Sequence, residues 1–250
     1  MSVRVVTMLT SMLALGLLWH FTSGALDDRS LPSPYAVWQA FLEEWQSGEL
    51  IFHLMATLAR VAAAFLLAMS IGSCIGILLG SYKSLNTVFD GWLVLLLNIP
   101  ALVIIVLSYI WFGLNEVAAV CAVALNKIPN VVITMREGAR SVDSQLNEMA
   151  TVYRFGLWKK IRHVLIPQLQ PFFAAATRSG ISLIWKIVLV VELLGRSNGV
   201  GFQIQLYFQL FDVATILAYT FAFVFVMLAI EYLLLQPMER MATRWRPSSA

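Results

Sequence analysis

Charge is what this sequence is short of: Asp, Glu, Lys and Arg make up 12% of 250 residues, against 60% hydrophobic, and the mean hydropathy is +0.79. A water-soluble domain carries roughly a quarter of its residues as charges to solvate its surface, so a soluble globular fold is excluded. Histidine is scarce as well. His20, His53 and His163 are the whole complement, none neighbours another, and no Ser-His-acid arrangement can be placed, so a membrane enzyme finds no machinery here. Cys74 and Cys121 both fall within apolar runs, where a small buried thiol is expected and a disulfide is not. No GxxxxGK[ST] stretch occurs, so the chain is not expected to hydrolyse ATP, and no metal site is expected. The formal net charge is +3, and because the basic residues concentrate in one set of loops and ends, it calls for no nucleic acid.

What the sequence has instead is long apolar runs. A bilayer core about 30 Å thick needs roughly 20 apolar residues per helix, and spans are predicted over residues 5–21, 57–80, 89–111, 117–135, 172–194 and 213–235. That is an all-α polytopic membrane protein with about six transmembrane helices. Continuous runs such as WLVLLLNIPALVIIVLSYI exclude the alternating pattern of a β-barrel. With the N-terminus inside, one set of loops and ends holds Arg4, Lys83, Arg136, Arg140, Arg154, Lys159, Lys160, Arg162, Arg240, Arg244 and Arg246, and the opposite set only Arg29 and Arg196. The positive-inside rule therefore puts both termini in the cytoplasm. The first outer loop is acidic, with Asp27, Asp28, Glu43, Glu44 and Glu49, and its SPYAVWQAFLEEW reads as an amphipathic surface helix. The first apolar segment ends in Ser23, Gly24 and Ala25, small residues that suit signal cleavage, but its length and thin basic flank favour a retained helix.

Several residues break the apolar pattern. Gly72, Gly76 and Gly80 stand four apart on one face, where another helix backbone can approach closely. Pro100 and Pro129 free backbone carbonyls at membrane depth, which protein or water in a cavity must satisfy. Ionisable residues at that depth cost roughly 3 kcal/mol each even on the lenient insertion scale. Lys127, beside Asn126, sits near the middle of the fourth expected span, and Lys186 and Glu192 lie on the fifth. Asn98, Pro100, Asn126, Lys127, Lys186 and Glu192 are therefore candidates for a translocation pathway, with Lys127 neutralising an anionic solute or pairing with an acid such as Glu192. Arg60, Arg178 and Lys186 are expected to snorkel or to pair with a neighbour.

One internal stretch gathers charge: NEMATVYRFGLWKKIRHVLIP, residues 147–167. Asp143 suits a helix N-cap, after which Leu146, Met149, Ala150 and Tyr153 fall at i, i+3, i+4 and i+7, an apolar stripe on a helix too short to span. Gly156 can break the chain, LWKKIRHVL resumes helical spacing, and Pro167 is expected to interrupt it. A basic amphipathic loop resting on anionic lipid headgroups would read similarly, but would leave Glu148 unexplained.

EMATVYRFGLWKKIRHVLIP resembles the cytoplasmic signature of ABC importer permeases, E-A-A, three residues, Gly, nine residues, I-x-L-P. Glu148, Ala150, Val164, Ile166 and Pro167 occupy matching positions. TLARVAAAF at Thr57, NIPALVIIVLSYIWFGLNE at Asn98 and WKIVLVVELLGRSNGVGF at Trp185 are similar to the permease group for nitrate, sulfonate, taurine and related small solutes. The resemblance implies a type I ABC importer permease fold in one transmembrane domain, 1–250, with its core at 54–240 and a coupling-helix loop at 141–167. It further implies a non-catalytic subunit of the bacterial inner membrane that pairs with a second permease copy or paralogue and receives solute from a binding protein. ABC ATPase subunits would carry the ATP-Mg, this chain would hold no cofactor, and Leu146, Glu148, Met149, Ala150, Tyr153, Arg154, Gly156 and Pro167 would form the ATPase-coupling site. Two departures stand out. Arg154 replaces the signature glycine and Gly156 follows two positions later, so the turn is expected to shift there; Asn98 replaces the first proline of a P-I-P found in many relatives. A secondary transporter or channel subunit is the alternative, and the substrate has no residue code in the sequence.

Overall fold

The computed structural model describes residues 3–26 and 30–237, and every regular element in that range is helical. Asp27, Asp28, Arg29, Arg240, Arg244 and Arg246, which enter the charge asymmetry, lie outside the described residues. In chain order the helices are α1 (Val3–Leu26), α2 (Pro34–Gln46), α3 (Glu49–Ser81), α4 (Lys83–Asn98), α5 (Ala101–Phe112), α6 (Glu116–Arg140), α7 (Ser144–Val152), α8 (Leu157–Lys160), α9 (Ile166–Gly195), α10 (Val200–Gln209) and α11 (Val213–Ile230).

Among the described residues four helical runs are long and apolar enough to cross a membrane: α3, α6, the run Leu157–Gly195 that ends in α9, and Val213–Leu235, which begins as α11. A fifth is reached if α4 and α5 count as one broken span, bent by 94°. The count of six is therefore not recovered. The expected span 89–111 breaks because Ile99 and Pro100 are both extended (ψ 123° and 136°); proline pushes its predecessor out of the helical region and cannot donate to the helix it follows. α1 occupies the first expected span but is not one of the four, its apolar run being diluted by Thr7, Thr10, Ser11, His20 and Thr22.

The chain divides into two compact units, each assembled from two separate segments. The first comprises residues 1–57 and 192–227. Within it α2 starts on Ser33, whose hydroxyl accepts from Ala36 N at 3.2 Å, with Pro34 in the first turn, where a proline costs no hydrogen bond. Val37 and Ala40 of α2 bury against Ala218 of α11, with Trp19 of α1 and Phe41 packed around them. Trp38, Phe41 and Trp45 stack along α2 at 5.4 and 6.0 Å, and with Trp19, Leu50, Leu54, Phe221 and Phe225 they line an apolar cleft of about 480 Å³. Tyr207 and Tyr219 both donate to the Glu44 carboxylate, at 2.8 and 2.6 Å, so the acid of the amphipathic helix is satisfied by α10 and α11.

The second unit comprises residues 58–191 and 228–250. Its packing follows from the three glycines of α3. A Cβ at Gly72 would lie 2.7 Å from Val131 Cβ, one at Gly76 2.6 Å from Val132 O, and one at Gly80 2.5 Å from Ala139 Cβ. Only bare backbone fits there, so α3 and α6 pack at close range, as small residues permit in apolar surroundings. Val61, Ala64, Ile105, Ala118, Ala122, Ile184 and Val188 fill the core beside this contact, and Tyr109 donates to Val191 O at 2.9 Å. Large apolar side chains such as Leu66, Trp92, Ile110 and Trp111 remain exposed, as a surface facing lipid requires.

Candidate functional site

The loop between α6 and α9 is built tightly within the second unit. Asp143 caps α7 as the spacing predicts, its Oδ1 accepting from Gln145 N at 2.8 Å. α7 then ends in a hydrogen-bonded reversal: Phe155 N donates to Ala150 O at 2.8 Å and Arg154 N to Thr151 O at 3.0 Å. This is a Schellman closure, whose penultimate position needs a left-handed backbone. Arg154 itself supplies it, with φ 50°. The expected shift of the turn to Gly156 is thus corrected: Gly156 is extended, φ −60° and ψ 159°, and opens α8. Lys159 Nζ lies 4.4 Å over the Phe155 ring, holding the reversal from outside.

Pro167 does not interrupt the following helix. Residues Ile161–Leu165 form a π-turn, with Ile166 N donating to Ile161 O, and the wider turn takes up the register change that proline imposes. Gln168 anchors the loop to α9: its Nε2 donates to Val164 O at 3.0 Å and its Oε1 accepts from Asp143 N at 2.8 Å. α7 packs on the π-turn, burying Ala150 and Val164. Ala150 therefore faces inward, and the outward apolar surface is Leu146, Met149, Val152, Tyr153, Leu157 and Trp158, the last 83% exposed. The stripe read from helical spacing did not include the exposed Val152, nor Leu157 and Trp158, which lie beyond the reversal at Arg154. Glu148 is exposed on α7 and makes no hydrogen bond or ion pair among the described residues.

The pathway candidates are dispersed. Asn98 is exposed at the α4–α5 break, with Nδ2 donating to Val94 O at 2.7 Å, and Pro100 forms the break. Asn126 is half-buried. Lys127 is 2% exposed, and its Nζ donates to Ser179 O at 3.3 Å, packed against Gly180. Lys186 is exposed beside the Trp185 ring. Arg60 does not snorkel: it is 5% exposed and forms a two-pronged pair with Glu116, Nε to Oε2 at 2.8 Å and Nη2 to Oε1 at 2.7 Å.

Glu192 is fully buried in the first unit. Its Oε2 accepts from Thr57 Oγ1 and from Gly201 N, both at 2.9 Å, while Thr57 Oγ1 accepts from Val200 N at 2.8 Å and His53 Nδ1 from Gly199 N at 2.9 Å. His53 lies in no stretch singled out from the sequence, and although Thr57 and Glu192 fall in two family-like stretches, their pairing across 135 residues is visible only in the tertiary structure.

A family model, "Binding-protein-dependent transport system inner membrane component", matches residues 72–246. The chain belongs to that family. The permease is 35% identical to a putative aliphatic sulfonates transport permease of Bacillus subtilis over 73% of its own length and 66% of the relative's. It is 31% identical to the corresponding Escherichia coli protein over 74% and 71%, and 29% identical to a bicarbonate transport permease of Synechococcus elongatus over 62% and 56%. By structure, the permease resembles a chain of an inward-facing methionine ABC transporter (TM-score 0.68, 16% identity, 80% and 99% covered). It also resembles a chain of an ABC transporter that imports alginate (TM-score 0.66, 15% identity, 98% and 96% covered). At those identities the likeness shows the fold, that of type I ABC importer permeases. The permease is thus a non-catalytic, multi-pass inner-membrane component of an ABC importer.

Proposed function

We propose that the permease pairs with a second copy or a paralogue to enclose a pathway for a small solute handed over by an external binding protein, and that α7 docks in a cleft of an ATPase subunit. Both termini and the α7–α8 loop lie in the cytoplasm in this reading, as the Lys and Arg distribution requires, and ATP-Mg is bound by the ATPase. The observation that carries it is the apolar surface left exposed on this loop, Leu146, Met149, Val152, Tyr153, Leu157 and Trp158, together with a Glu148 that is exposed and unpaired among the described residues. Outside the bilayer such a patch needs an apolar partner surface, and Glu148 would accept a charge-assisted hydrogen bond from a basic group at the rim of that cleft. The sulfonate and bicarbonate relatives are named for small anions, and a small anion is the solute class proposed here. Lys127, Asn126 and Asn98 remain the pathway candidates, with Lys127 supplying positive potential behind the lining.

Co-purification of the tagged permease with an ABC ATPase subunit, followed by hydrolysis assays with solute-loaded binding protein, tests this reading. A stable complex with stimulated hydrolysis is expected. Solute flux by the permease alone, independent of ATP, would place it among secondary transporters or channels instead.

A further inference from the structure

α10 begins without a side chain of its own to cap it, because its N-cap is Gly199. The first N–H groups of a helix have no intrahelical acceptor, and here other helices provide them. Gly199 N donates to His53 Nδ1, Val200 N to Thr57 Oγ1 and Gly201 N to Glu192 Oε2, at 2.8 to 2.9 Å. Three successive backbone donors are thus held by side chains of α3 and of the last turn of α9. His53 is fixed in one tautomer by this arrangement: Nδ1 accepts, so the ring proton is on Nε2, which faces Glu49 Oε2 at 3.2 Å.

The site accepts nothing larger than glycine at 199. Its φ is 110°, a region that L side chains rarely enter, and a Cβ there would collide with the Glu192 carboxyl group. A fully buried carboxylate is tolerated only when its charge is met by donors, and the aligned N–H groups of a helix N-terminus are well suited to meet it. The far end of α10 is also tied by the Tyr207 hydroxyl, which donates to Glu44 and is kept protonated by burial and by that carboxylate, both of which raise its pKa. Beyond Tyr207, the end of α10 and the reversal after it expose Phe208, Leu210 and Phe211.

Glu192 belongs to the helix that leaves the α7–α8 loop. α9 runs unbroken from Ile166 to Gly195, whereas Thr57 and His53 are on α3. A turn or shift of α9 by about 1 Å relative to α3 lengthens the Glu192 hydrogen bonds to Thr57 and Gly201 beyond their working range, and loss of that acceptor leaves the remaining buried network only partly satisfied. We propose that Glu192 is a positioning residue of the transport cycle: its carboxylate clamps the N-terminus of α10, and displacement of α9 opens the clamp and frees α10 to move. The inference rests on the transport function proposed above.

The test uses the assembled complex in nanodiscs, with Val200→Cys introduced after Cys74→Ala and Cys121→Ala, and reads the rate of labelling by a water-soluble maleimide. Val200 is fully buried, so labelling at rest should be slow and should rise about tenfold or more during MgATP turnover with loaded binding protein, as for loss of a charge-assisted hydrogen bond. Glu192→Ala should label fast at rest and lose solute-stimulated hydrolysis. Glu192→Gln, which keeps an acceptor oxygen, should restore part of both, and Thr57→Val provides an independent route to the open state should Glu192→Ala fail to assemble. Stimulated hydrolysis with Val200→Cys equally protected at rest and in turnover would overturn the clamp and leave the transport function standing. Lower yield of the Glu192 variants with undiminished stimulation per assembled complex would reduce Glu192 to a folding role and also overturn it. A wild-type complex lacking stimulated hydrolysis would remove the transport function and the clamp together.

Discussion

Arg154 closes α7 at φ 50°, a conformation that costs a residue with a Cβ on the order of 1 kcal/mol. Glycine would relieve that cost but would loosen the unfolded chain by about 0.4–1 kcal/mol, so the two effects nearly cancel. Arg154→Gly is therefore expected to leave thermal stability within about 0.5 kcal/mol of wild type, and Gly156→Ala, at an ordinary φ with open space around it, to be silent in detergent melts. A large loss from Gly156→Ala would return the turn to that residue. The signature spacing made the loop legible from sequence, but which of two nearby residues turns the chain was not, since that is decided by the hydrogen bonds of Phe155 and Arg154. The Arg60–Glu116 pair was hidden for a similar reason, its members being 56 residues apart. Removing Glu116 strands a buried guanidinium, so Glu116→Ala should destabilise by about 2 kcal/mol, while Arg60→Met combined with Glu116→Ala should recover most of the loss. Additive losses in that cycle would contradict the pairing.

At the scale of elements, hydropathy located the four long apolar helices because apolar length is what a bilayer selects. It is blind to direction, so one apolar run over 89–111 concealed two helices meeting at 94°. The glycine spacing on α3 was legible as a packing face; its partner, α6, was not, because a small residue marks room for a neighbour without naming it. A methyl group at Gly76 would meet the Val132 carbonyl, whereas one at Gly91 of α4 meets nothing within 4 Å. Gly76→Ala is expected to cost about 1–3 kcal/mol by overpacking, and Gly91→Ala to cost nothing measurable in the same thermal assay. Equal melting of the two variants would show that α3 and α6 are not in close contact. The π-turn before Pro167 was read as a helix end, since a proline signals a lost hydrogen bond but not whether the helix widens to absorb it.

At the scale of the whole molecule, two claims join the membrane arrangement to transport. Topology comes first: a thiol introduced by Ser144→Cys, in a background lacking Cys74 and Cys121, should resist impermeant reagents in intact cells and react in inside-out vesicles. Labelling from outside would invert the arrangement. Coupling through α7 is the central claim, and Glu148→Ala tests it most directly. Glu148 is exposed and bonds to nothing among the described residues, so its removal should not disturb insertion or the packing of the permease. Loss of one partly buried charged contact with the ATPase is on the order of 2 kcal/mol. The measurement is solute-stimulated ATP hydrolysis per assembled complex. Glu148→Ala complexes are expected to assemble and lose most of that stimulation; assembled complexes with stimulation equal to wild type would show that coupling does not pass through Glu148.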